Sequence, residues 1–179
     1  MSEATAPPTL LFVDDEPGIL SALRRLFRPH GYRIFIAEGG AAGLEVLEKE
    51  QIDLVISDMR MPEMDGATFL KEVRSRWPNV MRILLTGYAD ITSTVAAINQ
   101  GEIYRYISKP WDDNEIVSIV GEAIEHQNLK RENQRLTSLT QAQNAQLKEL
   151  NASLEQKVAD RTAELRQALS FVEQTHSEL

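Results

Sequence analysis

Asp14 and Asp15 close one short apolar run, LLFVDD, and Asp58 closes another, DLVISD. Thr86 ends RILLT, and Lys109 follows IYRYIS. Three carboxylates, a hydroxyl and an ammonium are the parts of a phosphoryl-transfer site, provided the fold gathers them. Carboxylates brought to one edge repel each other and call for counter-charge. Lys109 supplies one positive charge, and a hard divalent cation is the natural second. Mg²⁺ takes oxygen ligands from one or two carboxylates and keeps places for water and phosphate oxygens. A carboxylate nucleophile, a bridging Mg²⁺, a neutralising lysine and a hydroxyl donor together suit phosphoryl transfer.

The elements that must position these groups alternate. LLFVDD precedes PGILSALRRLF, whose apolar residues Ile19, Leu23 and Leu26/Phe27 recur at helical spacing. YRIFIA precedes AAGLEVLEKE, DLVISD precedes ATFLKEVRSRW, RILLTG precedes ITSTVAAINQG, and IYRYISKP precedes a helix starting near Asp113 or Asn114, both good N-caps. Five strands alternating with five helices argue for a parallel sheet covered on both faces. Such sheets bind ligands at the carboxyl ends of their strands, where the strand order reverses. The acids, Thr86 and Lys109 all stand at that end. Pro62, Asp65 and Gly66 read as shaping the loop after Asp58. GGAAG at 39–43 lacks the lysine of a phosphate-binding loop and reads as the entry to the second helix.

Composition divides the chain. All seven prolines fall at or before Pro110, and all nine glycines at or before Gly121. A globular part of 9–126 after a flexible 1–8, then a helical 127–179, is the expected organisation. The 19 basic residues are outnumbered by 27 acidic ones, and neither part has a basic excess, so nucleic-acid binding is not expected. No apolar run approaches a membrane span and no secretory pattern opens the chain. Zero cysteines exclude disulfides and thiol catalysis and fit a cytoplasmic location.

With these residues in this order, the chain resembles the receiver domain of two-component response regulators (CheY-like) from about Leu10 to His126. The likeness is carried by the acidic pair in LLFVDDEP, by VISDMRMPEMDG, by LLTG and by ISKPW. It implies a (βα)5 doubly wound, flavodoxin-like sheet of order 2-1-3-4-5. It implies Asp58 as phosphate acceptor, and Mg²⁺ held by Asp14, Asp15, Asp58 and the main-chain carbonyl of Arg60. It implies that Thr86 and Lys109 contact the phosphoryl group, that Thr86 and Tyr106 form the switch, and that Arg60 and Tyr88 tune dephosphorylation. A partner sensor histidine kinase is the implied phosphodonor, and the chain itself is a regulatory module rather than an enzyme. Gly87 departs from the usual alanine of the family and loosens the loop beside Thr86.

The remaining residues carry a heptad pattern. His126, Asn133, Thr140, Leu147 and Leu154 share one seam position, and Leu129, Leu136, Gln143 and Leu150 the other. The seam then moves to Val158, Leu165 and Val172, a four-residue stutter. A parallel homodimeric coiled coil through residues 126–172 is expected, with a soft polar centre. His126 and His176 lack the context of a phosphorylated kinase histidine and read as ordinary helix residues. LNASLEQKVADRTAEL resembles the helical linkers that join receivers to output domains, and ISKPW with this coil looks most like regulators carrying an HD-GYP cyclic-di-GMP phosphodiesterase. No such output domain is in this sequence, and the pattern stops in mid-repeat at Leu179, the expectation for a piece of a longer protein. Two rival readings remain: a phosphorylation-independent dimerisation scaffold, and an aspartyl-phosphate phosphatase of the haloacid dehalogenase type. The second wants an Asp two residues after its nucleophile, where Arg60 stands.

Overall fold

The computed structural model describes residues 6–87, 90, 92, 96 and 103–178. Five parallel strands, β1 (Thr9–Asp14), β2 (Arg33–Glu38), β3 (Leu54–Asp58), β4 (Met81–Thr86) and β5 (Arg105–Ser108), form one sheet in the order β2-β1-β3-β4-β5. The flavodoxin-like order expected above is the order found. Helix α1 (Pro17–Phe27) follows β1, with a 3-10 turn at Arg28–His30. Helices α2 (Gly40–Lys49) and α3 (Gly66–Arg76) follow β2 and β3, and α4 (Asp113–Ser177) follows β5. The helix expected over ITSTVAAINQG lies mostly outside the described residues.

The two faces of the sheet sort by strict alternation. Leu10, Phe12, Leu54, Ile56, Ile83, Leu85 and Ile107 point to one face, where they pack on α1 and the start of α4. Leu11, Val13, Val55 and Leu84 point to the other, against Leu47 of α2 and Phe69, Leu70 and Val73 of α3. Every residue of β1 and β3 is buried, whereas β2 and β5 are partly exposed. That difference marks the first pair as central strands and the second as edges. From β1 the chain runs outward to β2 and then returns past β1 to β3. The strand order therefore reverses between β1 and β3, and the crevice of such a sheet opens at their carboxyl ends.

Local chemistry sets the helix starts. Pro17 opens α1, where a missing amide costs nothing. Asp65 caps α3 by accepting from the Thr68 amide at 2.7 Å. At α4 the expectation of Asp113 or Asn114 as cap is corrected: Asp112 caps the helix, its Oδ1 accepting from the Glu115 amide at 3.0 Å. Asp113 is already the first helical residue, and with Glu115 it places negative charge in the first turn, where the helix dipole favours it.

The chain divides into two units, Met1–Leu129 and Lys130–Leu179. Within the first, Gln127 is the last buried residue of α4; its side-chain amide donates to the Asn79 carbonyl. In the second, every described residue is helical or turn and exposed, including Leu136, Leu147, Leu150, Leu154, Val158, Leu165 and Val172. Among the described residues no helix is long and apolar enough to cross a membrane.

Candidate functional site

The carboxyl edge of β1 and β3 brings the acids together. Asp14 is the last residue of β1 and Asp58 of β3, and the pairing of Val13 with Ser57 sets them side by side. Ligand oxygens of Asp14, Asp15 and Asp58 all lie within 4.8 Å of one another. Asp14 and Asp58 are buried and Asp15 is exposed, so the cluster opens to solvent on one side. Lys109, just past β5, reaches across it. Its Nζ lies 2.7 Å from Asp58 Oδ1 and 3.3 Å from Asp14 Oδ2. The lysine backbone is fixed by donating its own N–H to the Thr86 carbonyl at 2.8 Å. Thr86 is buried at the end of β4, and its hydroxyl donates to the Gly87 carbonyl at 3.2 Å.

Burial pushes the Asp14 carboxyl up from its ordinary pKa; the Glu16 amide opposes this by donating to Oδ1 at 2.9 Å, the Asp58 charge adds to the rise, and Lys109 counters it. Burial pulls the Lys109 ammonium down, but the hydrogen bond and charge of Asp58, then those of Asp14, outweigh it and leave the pKa raised. An acid whose folded-state pKa is raised holds its proton more tightly folded than unfolded. Its ionisation therefore costs stability as pH rises from below the ordinary carboxylate range through the raised folded value. Asp14→Asn should accordingly melt higher than wild type at pH 7 without added cation, by roughly 4 °C if about 1 kcal/mol is relieved. The gap should close near pH 3. Thermal melts of both proteins across pH check this; an equal gap at both ends contradicts it.

The donor set suits a hard cation. Three carboxylates against one ammonium leave an excess of negative charge, all ligand atoms are oxygens, and the opening beside Asp15 leaves room for water. These are the properties of a Mg²⁺ site.

The remaining expected residues are spread around this cluster. Arg60 lies two residues past Asp58 and turns its guanidinium onto Asp90. The hydrogen bond and charge of Asp90 hold the Arg60 pKa above its ordinary value. Tyr106 lies on β5 opposite Leu84 and is 37% exposed. Tyr88 lies outside the described residues. Two participants were not anticipated. Ser57 donates from its hydroxyl to the Asp58 carbonyl at 2.9 Å. Asp90 has no sequence signal beyond a charge opposite to that of Arg60.

Two glycines border the site with opposite surroundings. A Cβ on Gly66 would stand 2.0 Å from the Asp58 carbonyl oxygen, whereas one on Gly87 would meet no atom of the described residues within 4 Å. Gly87 also lies outside the left-handed region. Gly87→Ala should therefore stabilise the protein by about 0.4–1 kcal/mol, through lost freedom of the unfolded chain. Urea titration measures it, and a fall in midpoint contradicts it.

Sheet order and acidic carboxyl edge together define a flavodoxin-like α/β signalling domain. The chain belongs to the response regulator receiver domain family, whose model matches residues 10–121. It is 32% identical over 163 residues to the hydrogenase transcriptional regulatory protein HoxA of Cupriavidus necator, covering 91% of this chain and 32% of HoxA. Among solved structures, the signal receiver domain of an HD domain-containing protein from Pseudomonas fluorescens Pf-5 superposes with a TM-score of 0.69 at 42% identity, over 74% of this chain and 97% of that one. The response regulator TrrA of Thermotoga maritima, solved in complex with Mg²⁺-BeF, superposes at 0.59 with 30% identity, over 65% and 98%. The chain spans roughly a quarter to a third of the length of the curated relatives it matches.

Proposed function

We propose that this receiver accepts a phosphoryl group on Asp58 from the phosphohistidine of a sensor histidine kinase. The observation that carries the reading is the Lys109 ammonium held 2.7 Å from Asp58 and 3.3 Å from Asp14, with Asp15 completing the acidic cluster. The Asp58 carboxylate oxygen forms the new bond to phosphorus as the donor's P–N bond breaks, its electron pair leaving with the imidazole. Lys109 neutralises charge gathered on the phosphoryl oxygens, and the Thr86 hydroxyl turns from the Gly87 carbonyl to donate to one of them. Asp14, Asp15, Asp58 and the Arg60 main-chain carbonyl are the residues that would hold Mg²⁺. The ion would supply the remaining counter-charge. The Mg²⁺-BeF complex of the similar TrrA supports a role for Mg²⁺.

Transmission follows from the same parts. The Thr86 movement draws Tyr106 inward from its half-exposed place on β5, and Arg60 and Tyr88 set the lifetime of the phosphoryl group. The signal passes along α4 through a cytoplasmic homodimer paired over 126–172, where the exposed apolar seam is the supporting feature. The output domain belongs to the rest of the protein. The 42% identity to the receiver of an HD domain-containing protein supports an output of the HD type, in line with the resemblance to HD-GYP phosphodiesterase regulators.

Incubation with acetyl phosphate and Mg²⁺ tests the acceptor. One base-labile phosphoryl group on the peptide containing Asp58 is the expected product, and label on His126 or His176, or none, overturns the reading. Crosslinking along the coil with and without beryllofluoride tests transmission, and an unchanged pattern removes that part.

A further inference from the structure

Arg60 and Asp90 meet in a forked ion pair. The guanidinium Nε donates to Asp90 Oδ1 at 3.2 Å and Oδ2 at 3.0 Å, and Nη2 donates to Oδ1 at 3.0 Å. The Asp90 side chain is 16% exposed and that of Arg60 72%. The carboxylate is therefore set into the protein, and the guanidinium lies over it from the solvent side. The two residues come from the two loops that flank the acceptor. Arg60 follows Asp58 by two positions and Asp90 follows Thr86 by four. Strand register ties those loops together: Asp58 pairs with Leu85, the Met59 amide donates to the Leu85 carbonyl at 3.0 Å, and the Asp90 amide donates to the Gly87 carbonyl at 3.2 Å. A pocket of about 430 Å³ opens along this seam, lined by Met59, Arg60, Met61, Pro62, Asp65 and Asp90.

The pocket is ample for a small acyl phosphate, and Arg60 is the cation among its described lining residues. A guanidinium fork matches a phosphate dianion in geometry and charge, but it matches a carboxylate equally well. Asp90 already occupies the fork. We propose that Asp90 is a positioning residue that brakes phosphoryl entry: it holds Arg60 in a neutral pair, and an incoming phosphodonor must compete with the Asp90 carboxylate for the guanidinium. The inference rests on the reading of Asp58 as acceptor and adds to it the residue that governs how readily small phosphodonors are used. The brake acts before chemistry, so it falls on donor capture rather than on the transfer step. It is electrostatic, so it weakens as salt screens the exposed side of the pair.

The test is the rate of Asp58 labelling by acetyl phosphate with Mg²⁺ in the whole chain, at several donor and salt concentrations. Wild type, Asp90→Asn, Arg60→Met, Arg60→Lys and the Asp90→Asn/Arg60→Met double variant are compared. Asp90→Asn is expected to raise kcat/KM about fivefold through a lower KM, with a steeper fall on adding salt. Arg60→Met should lower kcat/KM, and in that background Asp90→Asn should have no effect. Arg60→Lys should keep part of the response, as a cation without the fork. Asp90→Ser serves as a second variant should the asparagine melt abnormally. An unchanged kcat/KM in Asp90→Asn, or an equal change with and without Arg60, overturns the proposal and leaves Asp58 as acceptor. Absence of label on Asp58 in wild type removes both.

Discussion

Asp58→Asn is expected to take no detectable phosphoryl group from acetyl phosphate or from a phosphohistidine donor, while keeping its fold. An amide oxygen is a poor nucleophile, so the bond to phosphorus does not form. Neither of the described hydroxyls on the neighbouring strand ends, Ser57 and Thr86, is placed to take over. Ser57 is buried, with its hydroxyl committed to the Asp58 carbonyl at 2.9 Å, and Thr86 is buried at the end of another strand. Stability should stay within about 1 kcal/mol of wild type, because two effects oppose each other. The Asp58 charge raises the Asp14 pKa, so its removal relieves repulsion. The same removal weakens the contact with Lys109 at 2.7 Å, although the amide oxygen still accepts a hydrogen bond. Mg²⁺ affinity should drop with the loss of one of three carboxylates, read as a weaker response of Trp111 fluorescence to added Mg²⁺. Label on the variant at a wild-type rate would remove Asp58 from the acceptor role. Unfolding would show instead that the Asp58–Lys109 pair is structural first.

How much of this was legible beforehand follows from the range of each interaction. Strand and helix placement rests on periodicity within a dozen residues, and β1, β3, β4 and α1 to α3 fall within a residue or so of their expected limits. The carboxyl edge was legible for the same reason, since Asp14, Asp58 and Thr86 each end a run of apolar residues. The alternation of Leu10 and Phe12 against Leu11 and Val13 likewise announces a strand buried on both faces. The start of α4 at Asp113 fell where it was expected, but its cap was misassigned by one position because Asp112, Asp113 and Asn114 are all competent caps; the bond from the Glu115 amide decides among them. Long-range pairings left no mark. Arg60 and Asp90 are thirty residues apart on different loops, and only the β3–β4 register brings them within reach. Gly66 was legible as a turn former, but not as the point where a helix start presses on the carbonyl of Asp58.

That last contact carries a second large prediction. Gly66→Ala is expected to destabilise the protein by at least about 3 kcal/mol, the upper part of the range for overpacking. A Cβ there would stand 2.0 Å from the Asp58 carbonyl oxygen and 2.9 Å from both the Asp58 carbonyl carbon and the Met59 Cα. All three are backbone atoms, so no rotamer change can make room. The Gly66 amide donates to the Met59 carbonyl at 2.8 Å, which pins α3 to the end of β3 and blocks the simplest retreat. Either α3 lifts, stripping Phe69 and Leu70 from the core, or the end of β3 shifts and carries Asp58 away from Lys109. The first costs stability and the second costs labelling. The variant should therefore melt roughly 10 °C or more below wild type, and whatever remains folded should label poorly. Gly87→Ala is the internal control, because the identical methyl meets no described atom within 4 Å at the other side of the site and should stabilise. Opposite shifts in the two melts support the close approach at Gly66. A fall of the same size in both would mean that the loops around Asp58 resist any added side chain, and that backbone contact is not the cause.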